Sequence, residues 1–305
     1  MAEEHRLAYL VIAHADPQHL GRLVRALGPD DDVFVHLDAK VADDAPFRAA
    51  AAGANVRFVA PRVRVAWAGI SMVDATLVLL RAALAAMTPA RPYGHLVLLS
   101  GACYPLRAPA EIRRRLAAEP EREFIRFIDM RASPDHYMQH LNRRWFKEPW
   151  YRGRRRALVL ADKVLRRIAN LARRPNRWPD EWVPYFGSQW WALTPACARH
   201  VVDTVEREPR YRAANRDTLA PDEHFFHTLV GNSPYAARAT GLEPFRYRAT
   251  HILANLHLIH GSLSKWYGAD DWDEVAASDA LFVRKVGSRT SGALLDRIDR
   301  ERLGR

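Results

Sequence analysis

The first half of the chain alternates short, continuous apolar runs with longer segments in which apolar positions recur every three or four residues. Such runs are typical of strands buried on both faces, and the longer pattern is typical of amphipathic helices. The runs lie at residues 7–13, 33–37, 56–59, 95–99 and 124–128, and the helical patterns at 16–27, 71–84 and 109–118. The alternation predicts an α/β fold with a mostly parallel central sheet flanked by helices.

The second half of the chain is organised differently. Residues 130–182 interrupt the alternation and are rich in Arg, Trp and Pro. After them the pattern predicts strands at 188–194 and 245–252, helices at about 196–208 and 221–230, and a helix from Asp271 that is followed by Leu281-Phe282-Val283-Arg284-Lys285. Because no repeat or low-complexity linker marks a boundary, we predict one domain over 1–305 with a basic helical insertion at about 130–182.

The net charge of +11 is concentrated in one segment. Residues 143–177 contain 13 Arg and Lys and two acids, a net of +11, so the rest of the chain is neutral. Five apolar residues of this segment share one helical face: Leu158, Ala161, Leu165, Ile168 and Ala172. A cationic amphipathic stretch suits the surface of an anionic membrane or a lipid-linked acceptor, which is the interpretation we favour. It also suits an acidic polysaccharide, or a solvated helix that lies over the sheet.

Composition and the N-terminus bear on the location of the protein. The chain is 49% hydrophobic and 27% charged, which is typical of a globular protein. The two cysteines, Cys103 and Cys197, lie in apolar contexts and are interpreted as packing thiols. The N-terminus is acidic, and the apolar run 7–13 is too short for a signal-peptide core or a membrane span. We therefore expect a cytoplasmic protein, with peripheral contact to the inner membrane face through 143–177.

Several common cofactor motifs are missing from the sequence. No Gly-x-Gly-x-x-Gly follows the first predicted strand and there is no P-loop, so neither a dinucleotide-binding fold nor an NTPase is indicated. His224 and His227 lack a zinc-protease frame, so packing or acceptor contact is favoured. Asp271-Trp272-Asp273 spells an Asp-x-Asp metal motif, but it precedes a helical stretch in which Asp273 is interpreted as an N-cap. No metal site is expected.

The most informative pair of segments lies at 187–194 and 220–227. The first is apolar and contains two adjacent Trp residues, which predicts a buried strand. In the second, Pro221 suits a first helical turn, and Asp222 and Glu223 place negative charge where the helix dipole favours it. Such an acidic pair is a candidate general base. The competing interpretation is that the two carboxylates only complement or cap the helix.

Seven short segments follow one another in an order that resembles a known family. They are LVIAH at 10–14, VHLD at 35–38, WAGISMV at 67–73, LLSGACYPL at 98–106, GSQWW at 187–191, PDEHFF at 221–226 and FVRK at 282–285. Together they resemble glycosyltransferase family 14, which includes the core-2/I-branching β-1,6-N-acetylglucosaminyltransferases and the peptide O-xylosyltransferases. The resemblance covers the chain from about residue 7 to residue 286.

The resemblance implies a GT-A-like fold and an inverting transfer of a sugar, such as N-acetylglucosamine or xylose, from a UDP-sugar donor to a hydroxyl group. It also implies that no divalent metal or other cofactor is required, because basic side chains near the C-terminus take the place of the metal on the diphosphate. Eukaryotic members carry a membrane anchor and disulfides, whereas this chain resembles a compact bacterial member. The expected partners are therefore the UDP-sugar and a glycan or lipid-linked acceptor.

The resemblance also assigns the catalytic and leaving-group residues. Glu223 matches the catalytic base of the family, with Asp222 as the runner-up. Arg284 and Lys285 match the family's basic signature, and Lys265 is a third candidate cation for the donor diphosphate. Because neighbouring residues on a strand point to opposite faces, we expect only one of Arg284 and Lys285 to reach the diphosphate.

The remaining site residues come from the resemblance, from the end of one strand and from the Trp pair. The resemblance implies that Ala13, His14, Asp38 and Ser71 bind the nucleotide, and Ser100 and Gly101, which follow an apolar strand, are predicted to lie near the donor sugar. For Asp38, a turn residue that caps its own backbone is a competing interpretation. The predicted acceptor contacts are Trp190, Trp191 and Asp222. Since the two Trp residues are adjacent on a predicted strand, we expect one in the core and the other against the acceptor.

A different class of function remains open from the basic Arg/Trp-rich segment. It could make the chain a nucleic-acid-binding or glycan-binding protein without catalysis, or a protein that keeps the fold but has lost the activity. No recognised nucleic-acid-binding module is present and the positive charge is confined to one insertion, so no nucleic acid partner is expected.

Overall fold

The computed structural model of the chain describes residues 5–149, 155–171, 176, 178–244 and 253–305. The elements of the first part are β1 (Leu7–Ala13), α1 (Pro17–Leu27), β2 (Asp32–Leu37), α2 (Ala45–Ala50), β3 (Val56–Phe58), α3 (Ile70–Ala86), β4 (His95–Ser100), β5 (Cys103–Pro105), α4 (Pro109–Ala117) and β6 (Glu123–Asp129). These strands and helices alternate as the apolar pattern predicts.

The second part begins with the helices of the predicted insertion. Its elements are α5 (Met138–Asn142), α6 (Arg156–Leu171), β7 (Tyr185–Gly187), β8 (Ala192–Leu193), α7 (Pro195–Arg207), α8 (Pro209–Asn215), α9 (Phe225–Gly231), β9 (Ala239–Leu242), β10 (His257–Ile259), α10 (Trp272–Ala277), β11 (Phe282–Arg284) and α11 (Gly292–Ile298). The strand predicted at 245–252 lies outside the described residues. No helix in the described part of the chain is long and apolar enough to cross a bilayer.

The central sheet has the order β3-β2-β1-β4-β8-β6-β7, with β9 also paired to β6. The strands β3, β2, β1 and β4 are parallel, and β8 and β7 run antiparallel to their neighbours. Every residue of β1 is buried, which explains why its sequence is a continuous apolar run. The predicted α/β architecture with a largely parallel central sheet is confirmed.

Helices cover both faces of this sheet. On one face the core includes Leu20 and Leu23 of α1 and Leu294 of α11. On the other face it includes Leu80 of α3 and Val201 of α7. The sheet is therefore buried on both sides, and the ends of its parallel strands form the edge at which ligands bind in such folds.

A small second sheet, with the order β10-β11-β5, lies beside this edge. β11 is parallel to β10 and antiparallel to β5, and its last residue, Arg284, pairs with Cys103. This pairing brings the C-terminal basic pair next to the turn that follows β4, although about 180 residues separate them along the chain.

The structure corrects the boundaries of two predicted elements. The strand predicted at 188–194 is reduced to Ala192–Leu193, because the Ser188 hydroxyl accepts a hydrogen bond from the backbone N–H of Trp190 and forms a turn there. The helix predicted at 221–230 is split into a 3₁₀ turn at Pro221–Glu223 and α9. The break falls at His224, whose φ of −136° is not helical.

The predicted N-cap role of Asp273 is also wrong. Helix α10 begins at Trp272, so Asp273 lies inside its first turn and Asp271 precedes the helix. Asp271 accepts a hydrogen bond from the backbone N–H of Gly268 and forms an ion pair with Lys265. The Asp-x-Asp sequence thus has local structural contacts.

We expect Trp191→Ala to lower the free energy of unfolding by about 3–5 kcal/mol, because its fully buried ring packs against Phe226 with centroids 5.3 Å apart. Trp67, which is 81% exposed, provides the matched control, and Trp67→Ala should change stability by no more than about 0.5 kcal/mol. Urea denaturation measures both values. Equal losses in the two variants would contradict the placement of Trp191 in the core.

Candidate active site

A cavity of about 410 Å³ lies where the acidic turn Pro221–Glu223, the side chain of Trp190 and the cations near the C-terminus meet. Six of the residues predicted from the sequence line it: Trp190, Asp222, Glu223, Lys265, Arg284 and Lys285. They come from four segments that are far apart in the chain. The fold therefore brings the predicted base, the predicted leaving-group cations and two of the three predicted acceptor contacts, Trp190 and Asp222, into a single space.

The acidic turn is held by backbone contacts on both sides. Ala220, which has a left-handed φ of 49°, donates its N–H to the carbonyl of Ala68, and Leu219 donates to the carbonyl of His140. The N–H of Glu223 closes the turn on the carbonyl of Ala220 at 3.0 Å. These bonds fix the direction in which the carboxylates of Asp222 and Glu223 leave the backbone.

Both carboxyl groups of this turn have raised pKa values. Burial raises the pKa of Glu223, and the neighbouring negative charge of Asp222 raises it further. Burial also raises the pKa of Asp222, although the positive charge of Arg284 opposes this effect. Raised values of this kind are found at groups that exchange protons during catalysis. Glu223 has the larger shift, which suits a general base that works near neutral pH.

The cations of the cavity are arranged around Arg284. Its guanidinium lies 4.4 Å from the centroid of the Trp190 ring and donates a hydrogen bond to the hydroxyl of Ser100. Burial lowers the pKa of Arg284, and burial together with the charge of Arg284 lowers the pKa of Lys285. Charge on both groups is thus incompletely solvated, which favours the binding of an anion beside them.

Arg284 and Lys285 both line the cavity, because β11 ends at Arg284 and the alternation of side chains along a strand does not extend to Lys285. That only one of them reaches the diphosphate stays a prediction. Lys265 is the more exposed cation, and it forms ion pairs with Asp271 at 2.6 Å and Glu274 at 3.3 Å. These acids already neutralise part of its charge.

The two Trp residues have different surroundings, although both are buried. Trp191 is fully buried in the core, and Trp190 lines the cavity between Arg284 and His257. The predicted acceptor contact of Trp191 is therefore wrong, because its ring is covered by the helices behind the sheet. Gly187, four residues earlier, also lines the cavity, where any side chain would collide with the backbone carbonyl of Arg126.

The residues predicted to bind the nucleotide and donor sugar lie beside the cavity. Of the described residues that line the cavity, none belongs to this group, which comprises Ala13, His14, Asp38, Ser71, Ser100 and Gly101. They lie together because Asp38 donates its N–H to the carbonyl of Ala13, and Gly101 donates to the carbonyl of Ile12. The bond between Arg284 and Ser100 connects this edge of the sheet with the cavity.

Two of these side chains are engaged by the protein itself. The Asp38 carboxylate is buried, accepts a hydrogen bond from the backbone N–H of Lys40 and pairs with the Lys40 ammonium at 3.2 Å. This is the turn geometry that the competing interpretation of Asp38 predicts. The Ser71 hydroxyl donates to the Glu148 carboxylate and accepts from the N–H of Ala66, both at 2.7 Å.

Two residues that the sequence did not single out contribute to this region: Trp67 in the wall of the cavity, and Glu148, which lies outside it against Ser71. Trp67 lies in the wall of the cavity and is 81% exposed. The ammonium of Lys147 lies 5.3 Å from the centroid of one of its rings. Glu148 contacts the start of α3 through both the backbone N–H and the hydroxyl of Ser71. Trp67 lies within one of the segments that carry the family resemblance, and Glu148 is an acid inside a run of cations. These two signals could have drawn attention to them.

The described residues contain no group of three His, Cys, Asp or Glu side chains arranged to hold a metal ion. His224, just before α9, and His227, within it, are completely buried, and burial lowers the pKa of both. His227 contacts the carbonyl of Ser188 at 3.0 Å. The packing interpretation of these two residues therefore agrees with the structure.

Comparison with known proteins identifies the class of protein that has this fold and site. The family model of the Core-2/I-Branching enzymes matches residues 7–247. The chain is 26% identical over 300 residues to the human N-acetyllactosaminide beta-1,6-N-acetylglucosaminyl-transferase, covering 93% of this chain and 69% of that protein. It is also 26% identical over 236 residues to rat Xylosyltransferase 2, covering 75% of this chain and 25% of that protein.

These matches define a glycosyltransferase with a GT-A-like α/β fold. The chain belongs to the Core-2/I-Branching enzyme family, which is glycosyltransferase family 14. Membership of this family implies a sugar donor and a glycan acceptor as substrates.

Proposed function

We propose that this protein transfers a sugar from a UDP-sugar to a hydroxyl group of a glycan or lipid-linked acceptor, with inversion and without a divalent metal. The observation that supports this proposal is the composition of a single cavity. One part of its wall carries a carboxylate with a raised pKa, and another carries cations that are poorly solvated. The transfer needs a proton acceptor and a site for the leaving diphosphate within reach of one sugar.

In the proposed reaction Glu223 accepts the proton of the acceptor hydroxyl. The hydroxyl oxygen forms a bond to the anomeric carbon as the bond from that carbon to the diphosphate oxygen breaks. A single displacement of this kind inverts the configuration at the anomeric carbon. The electron pair of the broken bond leaves with UDP, and the proton remains on Glu223 until solvent removes it. The raised pKa makes Glu223 a stronger base than an exposed carboxylate.

Arg284 and Lys285 are proposed to bind the departing diphosphate, with Lys265 as the outer cation. Negative charge increases on the diphosphate as the bond breaks, so cations fixed beside it stabilise the transition state more than the ground state. Trp190 and Ser100 already hold the guanidinium of Arg284 in place. This fixed arrangement could supply what a bound metal ion supplies in other transferases.

The donor nucleotide is proposed to lie along the adjoining edge of the sheet, against Ala13, His14, Asp38, Ser71, Ser100 and Gly101. This placement puts the diphosphate next to Arg284, because Ser100 contacts that side chain. The acceptor is proposed to enter past Trp67, whose exposed ring can stack on a sugar, and to reach the part of the wall that Trp190 forms. The names of the two relatives make N-acetylglucosamine and xylose the first donors to test.

We expect Glu223→Gln to reduce turnover by a factor of about 10² or more, because the amide keeps the shape of the side chain but cannot accept the proton. Release of UDP from UDP-N-acetylglucosamine and UDP-xylose measures the effect. Asp279→Asn serves as the control and should retain activity, since this exposed acid lies outside the cavity. Stabilisation of the folded variant by UDP should be unchanged. Near-normal turnover in Glu223→Gln would exclude Glu223 as the base.

The raised pKa of Glu223 also sets the direction of the pH dependence. Only the ionised carboxylate can accept a proton, so kcat/KM should increase as the pH rises through the raised value of about 8, and not through the ordinary value of 4.5. Asp222→Asn removes one cause of the shift and should move this rising limb to lower pH. Burial, the larger cause, should keep the limb above 4.5. A wild-type limb near 4.5, or one that Asp222→Asn leaves unmoved, would contradict the assignment.

A further inference from the structure

Helix α6 presents a row of large aliphatic side chains to solvent. Among the described residues, five of the nine most exposed large hydrophobic side chains belong to this one helix: Leu160, Val164, Leu165, Ile168 and Leu171. Their exposed fractions lie between 49% and 71%. Exposed aliphatic residues scattered singly are ordinary, but a contiguous group on one helix marks an interaction surface.

The spacing of these residues makes a continuous stripe. Leu160, Val164, Ile168 and Leu171 follow one another at steps of four, four and three, so they lie along one side of the helix. Leu165 widens the stripe toward the middle of the helix. We call these five residues the aliphatic stripe.

The opposite side of α6 is attached to the rest of the protein. Asp162 is 6% exposed and forms an ion pair with Arg166 at 2.7 Å, and Arg166 donates a hydrogen bond to the carbonyl of Phe146. The ion pair lies within α6, so the rotation of the helix about its axis is fixed by the bond from Arg166 to Phe146 and by the burial of Asp162. The aliphatic stripe therefore faces outward because the polar side of the helix is the side that is held.

Exposed cations border the stripe. Each residue of an α-helix is rotated by about 100° from the one before it. On this basis Arg156, Lys163 and Arg167 lie together along one side of the aliphatic stripe, next to Leu160. An apolar strip bordered by Lys and Arg is the arrangement by which a helix lies in the surface of a bilayer. The cations then contact anionic headgroups while the aliphatic side chains enter the boundary of the acyl chains.

We propose that the aliphatic stripe of α6, with its bordering cations, docks on the surface of an anionic lipid bilayer. The occupant follows from the chemistry of the stripe. It contains no aromatic ring, so it is poorly suited to stacking on sugars or bases. A second copy of the chain would bring together two segments that each carry a net charge of +11 over residues 143–177. An anionic bilayer offers acyl chains to the aliphatic side chains and negatively charged headgroups to the cations.

The docking helix is connected to the candidate active site through one short segment. Arg166 of α6 contacts Phe146, and the next two residues, Lys147 and Glu148, contact Trp67 and Ser71. Trp67 lies in the wall of the cavity. Membrane docking itself does not depend on the proposed transfer reaction, so the two can fail independently. If both are correct, the arrangement suits an acceptor that is linked to a lipid.

Co-sedimentation of the full-length protein with phosphatidylcholine vesicles, prepared with and without phosphatidylglycerol, tests the proposal. We expect binding to the anionic vesicles at low ionic strength and progressively weaker binding as salt is added. The combined variant L160Q/V164Q/I168Q/L171Q should bind at least about tenfold more weakly. The affinity of the variant K163Q/R167Q for anionic vesicles should fall about fivefold for each cation removed.

The control is Leu242→Gln, which removes an aliphatic side chain of similar exposure, 59%, from another part of the surface. It should leave vesicle binding unchanged. Circular dichroism and thermal unfolding establish that all three variants fold as the wild type does, which is expected because the substituted side chains are exposed.

Three results would overturn the proposal. The first is no binding to anionic vesicles at low salt, or binding that the four stripe substitutions leave unchanged. The second is a dimer that forms with increasing concentration, depends on the four stripe residues and does not bind vesicles, since a second copy would then be the occupant. The third is binding of an acidic polysaccharide that depends on the same residues while vesicles are not bound.

Discussion

The pairing of β11 with β5 is the interaction on which the candidate active site depends. It places Arg284 opposite Cys103, so that the guanidinium reaches Ser100 on one side and the ring of Trp190 on the other. A slip of one residue in this register would turn the Arg284 side chain to the opposite face of the small sheet. The ends of the parallel strands of the central sheet form the edge at which the site lies. The pairing of β11 with β5 determines which cations lie beside that edge.

Burial then gives the cavity its chemical character. The same loss of solvent raises the pKa of Glu223 and lowers the pKa of Arg284 and Lys285, because it disfavours charge on every group. A diphosphate bound by the cations would restore the balance of charge on their side. The carboxylate would remain a base whose proton affinity is raised. The fold thus places the carboxyl group of Glu223 and the cations Arg284 and Lys285 in one poorly solvated cavity.

The sequence predicted the parts of the fold that depend on local pattern. The strands β1, β2 and β4 were predicted because strands buried on both faces leave continuous apolar runs. The cavity residues Glu223, Arg284 and Lys285 were found through the ordered family segments, since their spacing alone does not distinguish them from ordinary surface charges. The family itself is confirmed.

Two kinds of feature were not predicted from the sequence. The turn that shortens the strand before Ala192 rests on a local hydrogen bond, from the N–H of Trp190 to the hydroxyl of Ser188, whereas the placement of Glu148 rests on Ser71, 77 residues away. Helical periodicity showed that Leu165 and Ile168 share a face of α6 with Leu158 and Ala161. It could not show that Leu165 and Ile168 are exposed while Leu158 and Ala161 are half-buried, because the rotation of the helix is set by the contact of Arg166 with Phe146.

The most direct measurement of the central claim is the release of UDP from a panel of UDP-sugars in the presence of excess EDTA. If fixed cations of the protein stabilise the leaving diphosphate, one donor should be turned over at the same rate with and without the chelator, and Arg284→Ala should abolish that turnover. Loss of activity in EDTA that added Mn²⁺ or Mg²⁺ restores would contradict this account, because a metal ion would then have the role assigned here to Arg284 and Lys285.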